Sequence, residues 1–118
     1  MRITSIILHS AWLLVLGIAA AGAHAFLDRA EPRVGSTVRA APSEVSLSFT
    51  QNLEPRFSTV SVTDASGQRV DGGRPIVSGS TMRVPLRGIR PGTYRVSWRV
   101  LSVDTHTTEG AFTFHVGQ

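Results

Sequence analysis

Near its C-terminus the sequence places a carboxylate and an imidazole two residues apart, at Asp104 and His106 within residues 102–110. An extended backbone points residues i and i+2 to the same side, so we expect these two side chains to lie together. Both residue types are good metal ligands. The pair also fits a hydrogen-bonded turn, and by itself it supplies only half of a metal site.

The first 23 residues have the pattern of a secretory signal peptide, because Arg2 precedes a long apolar run that ends in small residues. An uncleaved membrane anchor is the alternative, since the run is nearly long enough to span a bilayer. The small residues at its end favour cleavage. We therefore predict a cleaved signal peptide at residues 1–23 and a single exported domain at residues 24–118.

The position of cleavage decides which metal ligands remain. The A-x-A pattern occurs in three registers, which give mature N-termini at Gly22, His24 or Phe26. Cleavage after Ala23 frees the α-amine of His24, so that one residue can chelate through its amine and its ring. A start at Gly22 makes a different chelate, with the histidine third, and a start at Phe26 discards His24. These three registers stay open.

Composition excludes several classes of site. The sequence has no cysteine, so neither a disulfide nor a thiolate metal site is possible. All twelve basic residues are Arg, against eight acidic residues, and the formal charge of +4 falls to +3 when Arg2 leaves with the signal peptide. This positive charge is spread along the chain, and we therefore expect no binding to nucleic acid.

From Phe26 onward, segments with a period of two alternate with turn residues, and no segment has an apolar pattern of helical period. We predict an all-β domain, an antiparallel two-sheet β-sandwich of immunoglobulin-like (Greek key) architecture with about seven strands. His115 is expected on an outer face, because its neighbours along the strand are apolar. The predicted core consists of Val45, Leu47, Phe49, Val60, Val62, Tyr94, Val96, Trp98, Phe112 and Phe114.

The residues from Trp98 to His106 spell W-x-V-x-S-x-D-x-H and are followed by an aromatic strand. This segment resembles the CopC family of periplasmic copper-binding and copper-resistance proteins, and the resemblance extends along the mature chain from a starting His24. It implies a periplasmic β-sandwich that holds one Cu(II) per chain. The ligands implied are the amine and ring of His24, the carboxylate of Asp104 and the ring of His106.

Such a donor set suits Cu(II), which favours tetragonal sites of nitrogen and oxygen, whereas zinc prefers a tetrahedron and is expected to bind weakly. Members of the family that also hold Cu(I) carry a methionine-rich loop, but residues 24–118 contain one methionine, Met82. We therefore predict a protein for Cu(II) alone. Gln51 stands where the family often has Glu, so it can donate or accept a hydrogen bond but adds no charge.

These features predict a monomeric copper carrier or buffer that exchanges copper with a membrane copper transporter of the CopD type. We expect no enzymatic activity and no catalytic residue. One alternative is a copper-dependent redox enzyme with a histidine-brace site, but Asp104 would occupy the position that oxygen chemistry needs. The other is a metal-free interaction module in which Asp104 and His106 cap a loop.

Overall fold

The computed structural model describes residues 24–118, and the signal peptide predicted at residues 1–23 lies outside them. Turn residues, chiefly Gly, Pro, Ser and Asp, separate the strands. No helix among the described residues is long and apolar enough to cross a membrane. The elements are β1 (Leu27–Glu31), β2 (Thr37–Val38), β3 (Glu44–Phe49), a 3-10 turn (Pro55–Phe57), β4 (Thr59–Thr63), β5 (Ile76–Ser78), β6 (Thr81–Pro85), β7 (Gly92–Leu101) and β8 (Thr107–Val116).

Two four-stranded sheets form a sandwich, which confirms the predicted fold class. The first sheet has the order β1-β3-β6-β5 and the second the order β2-β8-β7-β4. The strand pairs are antiparallel with one exception, the two-residue strand β2, which lies parallel to β8. The longest pairing joins β7 to β8, from Gly92 opposite Val116 to Leu101 opposite Thr107. This hairpin therefore carries its connecting loop rigidly to one end of the sandwich.

The core lies between the sheets, and nine of the ten predicted core residues are buried there. Trp98 differs, because it is only partly buried and packs edge-on against Phe49 with ring centroids 5.1 Å apart. It also lines an open groove of about 660 Å³. Alternation along β7 correctly predicts the inward direction of Trp98, but it does not show that this side chain lies where the sandwich opens.

Strand β6 adds two fully buried residues, Met82 and Val84, that were not among the predicted core residues. They alternate with Thr81, Arg83 and Pro85, as expected of a strand with one buried face. Burial of each large apolar side chain stabilises the fold by about 1.5–3 kcal/mol. The burial of Met82 also has a chemical consequence, since its thioether is packed in the core and not presented to a ligand at the surface.

Gly110 on β8 lies directly opposite Trp98 on β7. A Cβ atom added there would lie 2.6 Å from Cζ2 of the indole ring, well inside the optimal carbon–carbon separation of about 3.5–4.0 Å. We expect Gly110→Ala to lower the free energy of unfolding by about 1–3 kcal/mol, because the ring must move. Denaturant unfolding measures this loss.

Gly117→Ala is the matched control for that substitution, since its added Cβ would meet no atom closer than 3.6 Å. We expect its free energy of unfolding to stay within about 0.5 kcal/mol of the wild-type value. Equal unfolding midpoints for the two variants would contradict the placement of Trp98 against Gly110.

Asp71 is a buried carboxylate that lies against the outer edge of β4, and only 3% of its side chain is exposed. Asp71 accepts a hydrogen bond of 2.8 Å from the backbone N–H of Val62 and bonds of 2.8 and 3.1 Å from the Arg69 guanidinium. Burial raises the pKa of this carboxyl group. The bonds from Arg69 and Val62, together with the charge of Arg69, outweigh burial and leave the pKa of Asp71 below its ordinary value.

Because the pKa of Asp71 is lower in the folded state, its contribution to stability is complete above the unfolded-state pKa of about 3.9 and is lost as the pH falls through the folded-state value. We expect Asp71→Asn to cost about 1–3 kcal/mol at neutral pH. The difference from wild type should shrink in acid. Urea unfolding at neutral pH and in acid measures this difference in the free energy of unfolding, and the exposed Asp28→Asn is the control. A difference that does not depend on pH would contradict this role of Asp71.

Candidate metal centre

The loop that joins β7 to β8, residues 102–106, holds both Asp104 and His106. The backbone N–H of Ser102 donates to the carbonyl of His106 at 2.9 Å, and that of Thr105 donates to the carbonyl of Ser102 at 2.8 Å. Thr105 has a φ of 73°, in the left-handed region. The loop is therefore a tight turn rather than the extended segment that was expected.

The turn nevertheless brings the two predicted ligands together, with Nδ1 of His106 3.3 Å from Oδ1 of Asp104. The expectation of proximity was right, but the extended backbone assumed for it was wrong. Both side chains are substantially exposed, at 48% for His106 and 37% for Asp104. A metal ion could therefore reach them from solvent.

Ser102 is fully buried beneath this loop and orients the carboxylate above it. Its hydroxyl donates to Oδ1 of Asp104 and accepts a hydrogen bond of 3.4 Å from the backbone N–H of His106. The bond from Ser102 lowers the pKa of Asp104 most, burial raises it, and the bond and charge of His106 lower it further. The net shift is downward, so Asp104 is an anionic acceptor at neutral pH and suited to bind a cation.

Residues 24–26, which we call the N-terminal arm, lie beside the loop. The hydroxyl of Thr108 donates to the carbonyl of Ala25 at 2.6 Å, and that of Thr50 donates to the carbonyl of His24 at 3.3 Å. Thr50 also accepts a bond of 2.9 Å from the N–H of Phe26. These bonds place the N-terminal end of the described chain next to the turn at residues 102–106.

As a result, the rings of His24 and His106 contact each other edge to face, with centroids 4.6 Å apart. Nδ1 of His24 is buried and has no hydrogen-bond partner, an arrangement that is unfavourable for a polar atom unless a ligand satisfies it. The structure thus brings His24 to His106 and His106 to Asp104. Across residues 24–118, however, no three or more His, Asp and Glu side chains are already gathered in a metal-binding cluster.

The donor set fits a metal ion in two respects. Two donors bound side by side at about 2 Å from one ion lie about 3 Å apart, close to the separation between Asp104 and His106. The unpaired Nδ1 of His24 supplies a further nitrogen, on a ring that contacts the ring of His106. In the full-length chain the backbone nitrogen of His24 belongs to a peptide bond with Ala23, so only cleavage would make it an amine ligand.

Two other residues considered from the sequence lie apart from this cluster. His115 is on the outer face of β8, where its Nδ1 lies 3.0 Å from the hydroxyl of Thr93, as its neighbours predicted. Met82 is in the core. Neither is placed to bind a metal together with His106.

Sequence reasoning missed Thr50 and Thr108, which hold the arm, and the burial of Ala25 within the arm. Threonine is common on strands, so nothing in the pattern distinguishes Thr50 or Thr108 from the other threonines of the chain. Ala25 carried a signal, because a small residue beside a predicted ligand fits a tight contact. It was considered only as part of a cleavage pattern, whereas the structure buries it completely.

Comparison with known proteins gives a consistent result. The family model of the CopC domain matches residues 27–117. Copper resistance protein C of Escherichia coli is 35% identical over 114 residues, covering 87% of this chain and 90% of that protein.

Solved structures agree in fold as well as in sequence. The crystal structure of CopC from Methylosinus trichosporium OB3b superposes with a TM-score of 0.75 at 32% identity, covering 80% of this chain and 94% of the other. That of PcoC, a methionine-rich copper resistance protein from Escherichia coli, gives 0.70 at 34% identity, covering 79% and 98%. The chain therefore belongs to the CopC family, whose members are copper-binding resistance proteins and not enzymes.

Proposed function

We propose that the protein is an exported carrier or buffer of Cu(II) that begins at His24 after cleavage of residues 1–23. One Cu(II) is held per chain by the amine and ring of His24, the carboxylate of Asp104 and the ring of His106. The observation that carries this proposal is the contact of the His24 ring with His106, at 4.6 Å between centroids. The unpaired, buried Nδ1 of His24 supports it.

The choice of Cu(II) rests on the available donors. Three nitrogens and one carboxylate oxygen suit Cu(II), which also stands at the top of the affinity order of divalent metals. Soft sulfur ligands, which Cu(I) prefers, are absent from the surface of the described residues, because there is no cysteine and Met82 is buried. The negative charge of Asp104 further favours the higher oxidation state.

The proposed cellular role follows from the predicted export and from the family. A protein with a cleaved signal peptide binds copper outside the cytoplasm, here in the periplasm, and acts there as a monomer. A membrane copper transporter of the CopD type is the proposed partner that delivers or receives the metal. The role of Gln51, which directly follows Thr50 in sequence, is proposed to be hydrogen bonding without added charge.

Copper binding should weaken steeply in acid. The nitrogen ligands bind only after they lose their protons, so protons and Cu(II) compete for the same atoms. We expect the apparent affinity to fall with a slope of more than one proton per copper as the pH is lowered below neutral. Competition titrations at several pH values measure this slope, and an affinity that does not change with pH would contradict nitrogen ligation.

Electron paramagnetic resonance of the chain that begins at His24, loaded with one equivalent of Cu(II), tests the proposal directly. We expect a single tetragonal Cu(II) signal with splitting from nitrogen nuclei, which persists after addition of ascorbate. Loss of the signal with copper still bound would show stable Cu(I) and contradict a protein for Cu(II) alone. A signal identical to that of free Cu(II) in buffer would contradict the site itself.

A further inference from the structure

The N-terminal arm is held from both sheets of the sandwich. Thr50 directly follows β3 of the first sheet, and Thr108 is the second residue of β8 in the second sheet. Their hydroxyl groups donate to consecutive carbonyls of the arm, those of His24 and Ala25. Ala25 itself has no exposed surface, so its methyl group is enclosed between these contacts.

The hydrogen bonds also fix the register of the arm. Besides accepting from the N–H of Phe26 at 2.9 Å, Thr50 donates its own backbone N–H to the carbonyl of Phe26 at 2.9 Å. A shift by one residue would break these bonds and would replace the buried Ala25 by a larger side chain. The arm therefore has one position that presents His24 to His106.

We propose that Thr50 and Thr108 are positioning residues that hold His24 beside His106 before the metal arrives. This inference rests on the proposed function for its consequence in copper binding, but the contact that it explains is a property of the metal-free protein. Neither hydroxyl touches the metal ligands' side chains; each acts on the backbone that carries the His24 ring.

The physical reason is pre-organisation. A free N-terminal segment would have to lose backbone freedom at the moment of binding, and that entropy would be subtracted from the affinity. Because Thr50 and Thr108 order the arm when the protein folds, this loss of backbone entropy does not occur on copper binding. Loss of a group that orients a metal ligand typically weakens metal binding by about 10–100-fold, and we expect the lower end here, because each threonine can partly replace the other.

The test uses the protein that begins at His24 with Thr108→Val, which removes the hydroxyl and keeps the shape of the side chain. Thr50→Val is made in parallel and carries the test if the first variant does not fold. Thr108→Ser restores a hydroxyl, and Thr113→Val, on β8 away from the arm, is the matched control. Cu(II) affinity is measured by competition with a chelator.

We expect both valine variants to bind Cu(II) about tenfold more weakly than wild type, Thr108→Ser to recover most of the affinity, and Thr113→Val to leave it unchanged. Wild-type affinity in both valine variants would overturn the inference. A loss that Thr108→Ser does not recover would also overturn it, because the hydroxyl would then not be the cause.

A second readout uses the metal-free protein and separates this inference from the proposed function. Nuclear Overhauser effects between the His24 and His106 rings should be strong in wild type and weakened in the valine variants, while the shifts of the core residues stay in place. Unchanged ring contacts in the variants would contradict a positioning role. If wild type fails to bind Cu(II) but shows the expected nuclear Overhauser effects between the two rings, the proposed function is contradicted and the positioning role is not.

Discussion

We expect a chain that begins at Phe26 to bind Cu(II) about 1,000-fold more weakly than one that begins at His24. The shorter chain lacks both the amine and the ring of His24, so two of the three proposed nitrogen ligands are gone. Loss of groups that merely support a ligand costs about 10–100-fold, and loss of two ligands must exceed that range. Competition titration of the two purified chains against the same chelator measures the difference.

The matched control for this comparison is the chain that begins at His24 with its amine acetylated. It keeps the imidazole and the bonds of the arm to Thr50 and Thr108, but it cannot bind metal through the terminal nitrogen. We expect its affinity to lie between those of the other two chains. Equal affinity for all three would place the copper elsewhere, whereas a normal affinity for the acetylated chain would show that only the ring takes part.

His106→Ala is expected to lower the affinity for Cu(II) by about 100-fold or more, because it removes the nitrogen ligand that contacts both other members of the cluster. His115→Ala removes a histidine from the far end of β8 without touching the site, since His115 lies beside Thr93. We expect His115→Ala to bind copper as wild type does. The same chelator competition serves both variants.

Similar losses in the two histidine variants would point to a general effect on the second sheet rather than to ligation. No loss in His106→Ala would leave Asp104 and His106 as a hydrogen-bonded loop pair, as in the metal-free alternative. Thermal unfolding of the metal-free variants provides the necessary check, because neither ring belongs to the buried core.

Much of the fold could be predicted because its central strands each bury one face. In β3 and β8 the apolar residues alternate with polar ones, and this period of two follows directly from the geometry of a strand. Strand β1 could not be recognised in this way, since Ala30 is its one buried residue. Strand β2 is two residues long, too short for any period, and its pairing with β8 joins residues that are far apart in sequence.

The candidate site likewise contains residues that could be predicted from the sequence and residues that could not. Asp104 and His106 are close in sequence, so their types and spacing were sufficient to single them out. His24 is distant in sequence and drew attention only through the cleavage pattern and the family resemblance. Thr50 and Thr108 could not be found, because hydrogen bonds from side chains to a distant backbone depend on the tertiary fold and leave no periodic signal.

The backbone conformation of the loop at residues 102–106 also could not be predicted from the sequence. From sequence, an extended backbone was assumed for Asp104 and His106 so that their side chains would point to the same side. The structure instead has a left-handed residue at Thr105 and a buried Ser102 that binds both the carboxylate of Asp104 and the backbone of His106. A residue with positive φ that is not glycine is uncommon, and pattern reasoning has no means to expect one.

The most direct test of the central claim is the intact mass of the exported protein, measured with and without one equivalent of Cu(II). Mass alone distinguishes a chain that begins at Gly22, His24 or Phe26. We predict a chain that begins at His24 and retains one copper ion. A chain that begins at Phe26, or one that begins at His24 and retains no copper, would contradict the proposed site.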